Sequence, residues 1–245
     1  GEVVFWQRFA ASGANAKPRW TAPLPRSKNA SHGCDTLVLA VAISPDARFV
    51  VAGIESNLFV LDAQSGKIHQ KIPLKSNPIG AIFSRDGKRF WSATQNGEIA
   101  QWSVPEWKIK RQFKPKGGPK WCQALAVSPD ESTLFAGHAD RAVSFDLKSG
   151  LQKREYLGVG AYFNSLAVSR DGKWLAGAAE NGQGALYDAQ TGELKRVFHR
   201  VSAQRNAQGF FKTEAAVFDA RGELLFRTSP RAALWREGET LRENR

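Results

Sequence analysis

The chain has 245 residues, 42% of them hydrophobic and 24% charged, with a net charge of +12 and a pI near 10.0. That length accommodates one large β domain or two small ones, and a core of that size needs no disulfide staples. No apolar run approaches the ~18 residues of a membrane span. The positive surplus favours acidic partners (nucleic acid, anionic lipid or an acidic protein face) without choosing among them.

The first predicted element is GEVVFW, Gly1 to Trp6, an alternating strand that ends on an aromatic. Its shape returns at GEIAQW, Gly97 to Trp102, and at RAALW, Arg231 to Trp235. Residues 10–36 follow as an Ala/Ser/Asn/Pro stretch with Lys17, Arg19, Trp20, Arg26 and Lys28, read as a long loop. From Ala40 a pattern sets in that recurs down the chain: AVAISPDARFVVAG, then GAIFSRDGKRFWSA from Gly80, ALAVSPDESTLFAG from Ala124 and SLAVSRDGKWLAGA from Ser165. A weaker copy, AAVFDARGELLFRT, begins at Ala215. The anchors Ser44, Ser84, Ser128, Ser169 and Asp219 lie 40, 44, 41 and 50 residues apart.

Each copy continues alike. A polar turn follows the second strand, as at Gln95-Asn96-Gly97 or Glu180-Asn181-Gly182, and Asn-Gly tolerates the positive φ that hairpins need. A third strand ends in an aromatic or Leu, often before Asp: Leu61-Asp62, Trp102-Ser103, Phe145-Asp146, Tyr187-Asp188. A turn with Ser65-Gly66, Ser149-Gly150 or Thr191-Gly192 leads to a polar fourth strand rich in Lys and Arg, suited to an exposed edge. Four short strands per 40–45 residues is the arithmetic of a propeller blade. The predicted fold is therefore an all-β propeller of four-stranded antiparallel blades, with full blades near 37–74, 79–113, 122–157, 163–198 and 213–245. A partial blade occupies 1–30, and long loops span 10–36 and 199–213. Gly1 to Trp6 reads as a third strand without its first and second. The expectation is thus a half-blade completed by a preceding segment or another chain, within a ring of six or seven blades.

On these Ser-Pro/Arg-Asp-Gly turns and aromatic-Asp strand ends, the chain resembles the WD-repeat β-propeller family, in a divergent bacterial-type form. The likeness covers roughly residues 37–245 and the opening stretch. It departs from the family pattern in lacking the Gly-His pair before the first strand and any Trp-Asp pair. Phrases such as LFVLDAQSGKI, Leu58 to Ile68, also resemble quinoprotein propeller repeats. The WD-repeat resemblance implies a non-catalytic protein–protein interaction scaffold within a larger polypeptide or complex.

Loops leading into the first strands vary in length, whereas the Ser-x-Asp and Ser/Thr-Gly turns barely do. Variation on one face of a rigid scaffold marks that face for binding. The candidate partner-binding residues there are Lys116, Lys120, Trp121, Arg141, Tyr162, Arg205, Phe210, Phe211 and Arg231, a basic face with Phe163 also among its aromatics. The competing expectation is that these aromatics plug their own loops and the cations are solvated. A protein partner with an acidic surface is the first reading, and nucleic acid or another polyanion the alternative. A quinoprotein-like or hydrolase enzyme is disfavoured. The histidines His32, His69, His138 and His199 lack metal-ligand spacing, and no phosphate loop or nucleophile elbow is present. Recurrence of Asp46, Asp86, Asp130 and Asp171 in every copy marks them as turn acceptors rather than catalysts. No catalytic residue, metal site or cofactor is expected. Cys34 and Cys122 read as small buried residues.

Overall fold

The Ser-x-Asp turns set the geometry of each repeat. The computed structural model describes residues 2–5, 20–25, 38–117, 121–198, 213–228, 232–235 and 242–243. In the first copy Ser44 Oγ donates to Asp46 Oδ1 (2.6 Å) and accepts the Phe49 amide (2.9 Å), while Asp46 Oδ1 accepts the Arg48 amide (3.1 Å). Ser84 with Asp86, Ser128 with Asp130 and Ser169 with Asp171 repeat the arrangement. In the last copy Asp219 stands in the serine's place and accepts the Arg221 and Glu223 amides itself, both at 2.8 Å.

Strands follow directly. β1 (Glu2–Phe5) and β2 (Trp20–Pro23) form a two-stranded sheet. Five four-stranded sheets follow among the described residues, each a meander in chain order. They are β3 (Val38–Ile43), β4 (Phe49–Ile54), β5 (Asn57–Asp62) and β6 (Ile68–Pro73), then β7 (Pro78–Phe83), β8 (Arg89–Thr94), β9 (Ile99–Ser103) and β10 (Ile109–Phe113). Next come β11 (Ala124–Val127), β12 (Thr133–Gly137), β13 (Ala142–Asp146) and β14 (Gln152–Tyr156), and then β15 (Phe163–Val168), β16 (Trp174–Ala179), β17 (Gly184–Asp188) and β18 (Leu194–Phe198). The last sheet holds β19 (Thr213–Phe218), β20 (Leu224–Thr228), β21 (Ala232–Trp235) and β22 (Arg242–Glu243). These sheets are propeller blades, and the all-β architecture matches the repeat arithmetic.

Burial divides by position in the blade. Second strands are enclosed, β4 and β12 along their whole length. Fourth strands are largely exposed, as in β6 and β14, and carry the Lys and Arg. First strands keep one row open: Val41 is 52% exposed, while Ala40 next to it is buried. The second strand is the more deeply covered because it has neighbours on both edges and both faces.

The chain divides into two compact units, residues 1–96 with 100–110, and residues 97–99 with 111–245. In the first, β1 and β2 pair antiparallel from Glu2↔Pro23 to Phe5↔Trp20. Residues 20–23, placed in a long loop by composition, are thus a strand. Val3, Ala22 and Leu24 pack on Val50, Ile54 and Phe59 of the following sheet. Trp20 Nε1 donates to the Ala63 carbonyl (2.9 Å), and its ring covers Gly66. In the second unit the first strands β11, β15 and β19 lie side by side. A Cβ on Gly137 would stand 2.8 Å from Phe163 Cβ, so glycine there lets β12 approach the next blade.

Within the β7–β10 blade of the first unit Trp102 Nε1 donates to Ser92 Oγ at 2.9 Å, both buried. In the β11–β14 blade the corresponding residues are Phe145 and Ala136, which cannot form it.

Candidate interaction face

The ends of β12 and β13 and the loops leading into β11 and β15 build the candidate face, all within the second unit. Lys116 sits in a turn whose backbone is held twice. Its amide donates to Gln152 Oε1 (2.7 Å), and its carbonyl accepts Arg141 Nη2 (2.9 Å). Arg141 also lies 3.3 Å from Asp140 and 3.5 Å from Glu155, with its side chain only 19% exposed. A guanidinium with two carboxylates and a carbonyl has little charge left for a partner. Arg141, read from sequence as a contact cation, is placed as the brace that orders the Lys116 turn. Glu155 was missed by sequence reading, although the third–fourth strand register Val143↔Glu155 puts it beside that turn.

Trp121 and Tyr162 come together from different loops. Their rings meet edge to face at 5.9 Å, and Trp121 remains 44% exposed. The Glu180 amide donates to the Tyr162 carbonyl (2.9 Å), tying that loop to the β16–β17 turn. Phe163, counted with the face aromatics from sequence, is buried in the core against Tyr187. It is the first residue of β15 and is turned inward. Lys120, Arg205, Phe210, Phe211 and Arg231 lie outside the described residues, as do Cys34, His32 and His199. His138 is buried at the end of β12, its amide donating to the Arg141 carbonyl (2.8 Å). His69 is exposed on β6, with its ring 5.8 Å from that of Phe49.

The remaining polar groups are occupied by structure. Asp46, Asp86, Asp130 and Asp171 are held below the usual carboxylate range, in each case chiefly by the serine hydroxyl of their own turn. Asp146 and Asp188 are lowered chiefly by the amides of Ser149 and Thr191. The Cys122 thiol is buried and pushed up to about 12 by desolvation, the opposite of a reactive thiolate. Among the described residues no three His, Cys, Asp or Glu side chains converge as a metal site would require. Among them, too, no helix is long and apolar enough to cross a membrane.

Comparisons with known proteins fit this geometry. No family model matches the chain. It is 31% identical over 172 residues, 66% of its length, to Protein groucho of Drosophila melanogaster. It is 24% identical over 180 residues, 72% of its length, to Autophagy-related protein 16 of Arabidopsis thaliana. These stretches span 23% and 35% of those two proteins, so the chain corresponds to a minor part of each. Among solved structures, Hydrazine Synthase of Kuenenia stuttgartiensis superposes with a TM-score of 0.70 over 90% of this chain and 69% of that one, at 13% identity. At that identity the likeness concerns the fold alone. The repeated turns, the four-stranded meanders and these likenesses together make the chain a WD-repeat-like β-propeller.

Proposed function

We propose that the chain is a non-catalytic interaction platform within a larger polypeptide or complex, and that it engages an acidic protein surface through the loops leading into its first strands. The observation that carries this reading is the Trp121–Tyr162 pair, half open to solvent, on the loops that enter β11 and β15, the first of which also holds the exposed Lys116 turn that Arg141 braces. A rigid aromatic anchor flanked by cations is what a protein hot spot requires: large contact area at small entropy cost, with charge to steer approach. The sequence candidates Lys120, Arg205, Phe210, Phe211 and Arg231 would extend the same face. The two curated relatives support a role in assemblies only at the level of the fold.

The test is a pull-down from the native source, comparing wild type with Lys116→Glu/Lys120→Glu/Arg205→Glu and, separately, Trp121→Ala. Loss of the same partner in both variants is expected. Retention of every partner by the triple reversal sinks the choice of face. The net charge of +12 favours a second reading, binding of nucleic acid or another polyanion. That reading requires an affinity that falls steeply with salt, and salt-insensitive or absent binding to DNA and RNA removes it.

A further inference from the structure

Two blade junctions built on one plan are filled differently. In the first unit, the space between the β3–β6 blade and the next turn is packed by Phe49, Val51, Val60 and Trp107, with the Phe49 and Trp107 rings 5.5 Å apart. In the second unit the corresponding residues are Thr133, Phe135, Ser144 and Gly192. Val51 pairs across the sheet with Val60 as Phe135 does with Ser144. Trp107 closes on the Ser103 carbonyl as Gly192 does on that of Asp188. His69, which faces Phe49, corresponds to Lys153, which donates to Thr133 Oγ1 (3.3 Å). The result at the second junction is a cleft of about 410 Å³ at the Ser-x-Asp end of the strands. That volume is in the range of small-ligand pockets. An apolar seal has been replaced by hydroxyls and cations, which a blade junction does not need for packing.

We propose that this cleft binds a single carboxylate side chain of a protein partner, as a second site of the platform reading above, on which it rests. Its two carboxylates are tied into their own turns. Asp130 and Asp171, which line the cleft, hold their own turn hydroxyls and amides. Its donors are not. Among the described residues the Arg154 side chain has no hydrogen bond or ion pair, and the Lys153 ammonium hydrogen-bonds only the Thr133 hydroxyl, at 3.3 Å. A cleft with free donors selects an acceptor-rich group. The two turn carboxylates oppose a second negative charge, so a carboxylate fits and a phosphate dianion does not.

The test measures binding of three end-blocked, fluorescein-labelled probes to the whole chain by anisotropy: Gly-Phe-Glu-Phe-Gly, its Gln counterpart and its phosphoserine counterpart. The Glu probe is expected to bind at least ~10-fold tighter than the Gln probe, and the phosphoserine probe no tighter than the Glu probe. Thr133→Phe/Ser144→Val installs the residues of the sealed junction. It is expected to weaken the Glu probe at least ~10-fold while keeping the thermal midpoint. Should that variant fail to fold, the surface variant Lys153→Gln/Arg154→Gln decides, with the same loss expected. No binding of the Glu probe, equal binding of Glu and Gln, tighter binding of phosphoserine, or unchanged affinity in a folded variant each overturns the proposal. Lys116, one target of the triple reversal in the pull-down, lies at the other end of the strands, so the two readings fail separately.

Discussion

Phe49 and Thr133 occupy the same place, five residues after the turn serine, yet one seals its blade junction and the other borders a cleft. Both turns carry the same serine–aspartate bonds. Both sheets share the bulge in the third–fourth strand pairing, between Val60 and Leu61 and between Ser144 and Phe145. Backbone plan and side-chain filling are therefore separable in this fold. The turn network fixes where strands go, and the residues facing the neighbouring blade decide whether the junction is core or cleft.

The strongest way to break that contrast is to empty the sealed junction. Trp107 is buried and holds φ 53°, the left-handed region its turn elsewhere gives to glycine. Trp107→Ala is expected to cost about 3–5 kcal/mol in guanidinium unfolding. Trp107→Gly removes as much ring but relieves the backbone, and should be more stable than the alanine variant by ~1 kcal/mol. Equal losses would show that the turn stores no strain. The converse change at the other junction is Gly192→Ala. At φ 80°, with its Cβ 3.0 Å from the Glu155 carbonyl oxygen, it should lose about 1–3 kcal/mol by the same measurement.

Two tyrosines sharpen the picture beside the cleft. Tyr156 donates its hydroxyl to the Ala189 carbonyl (2.6 Å), whereas the buried Tyr187 hydroxyl has no hydrogen-bond partner among the described residues. Tyr156→Phe should therefore cost about 1 kcal/mol, and Tyr187→Phe should be neutral or stabilising. Equal effects would contradict the assignment.

The smallest effects concern pH, where the two junctions should behave alike. Folded Asp46, Asp86, Asp130 and Asp171 titrate below their ordinary 3.8. Their contribution is complete above that value and fades as pH falls through the lower folded values. Thermal midpoints should thus be flat near neutrality and drop below pH 3.8, and Asp46→Asn and Asp130→Asn should weaken the dependence by similar amounts. At the alkaline end, Cys122 stays neutral to about 12 when folded against an ordinary 9.0, so its contribution declines as pH rises above 9.0. Iodoacetamide labelling of Cys122 should track unfolding, and rapid labelling at Cys122 itself in the native chain would contradict its burial.

Local chemistry was readable from the sequence; relations between blades were not. The turns announce themselves because Ser, Asp and Gly act within a few residues of chain. Strand order follows from their spacing. Residues 20–23 were read as loop because a four-residue strand amid Ala, Ser and Pro shows no periodicity, and its reason for existing is Trp20 reaching the Ala63 carbonyl 43 residues away. Arg141 looked like a contact cation because Glu155 lies on a different strand. The cleft was invisible for the same cause: Thr133 or Ser144 alone is an ordinary strand residue, and only the comparison with Phe49 and Val60 gives it meaning.

The turns have a kinetic consequence. Each serine–aspartate network closes between residues no more than five apart, so it forms at almost no loop-closure cost and without the rest of the sheet. Every repeat then carries its own hairpin nucleus, and the chain can begin folding at several places. Weakening a single turn should leave the folding rate nearly unchanged and appear instead as faster unfolding, since the other hairpins still lead.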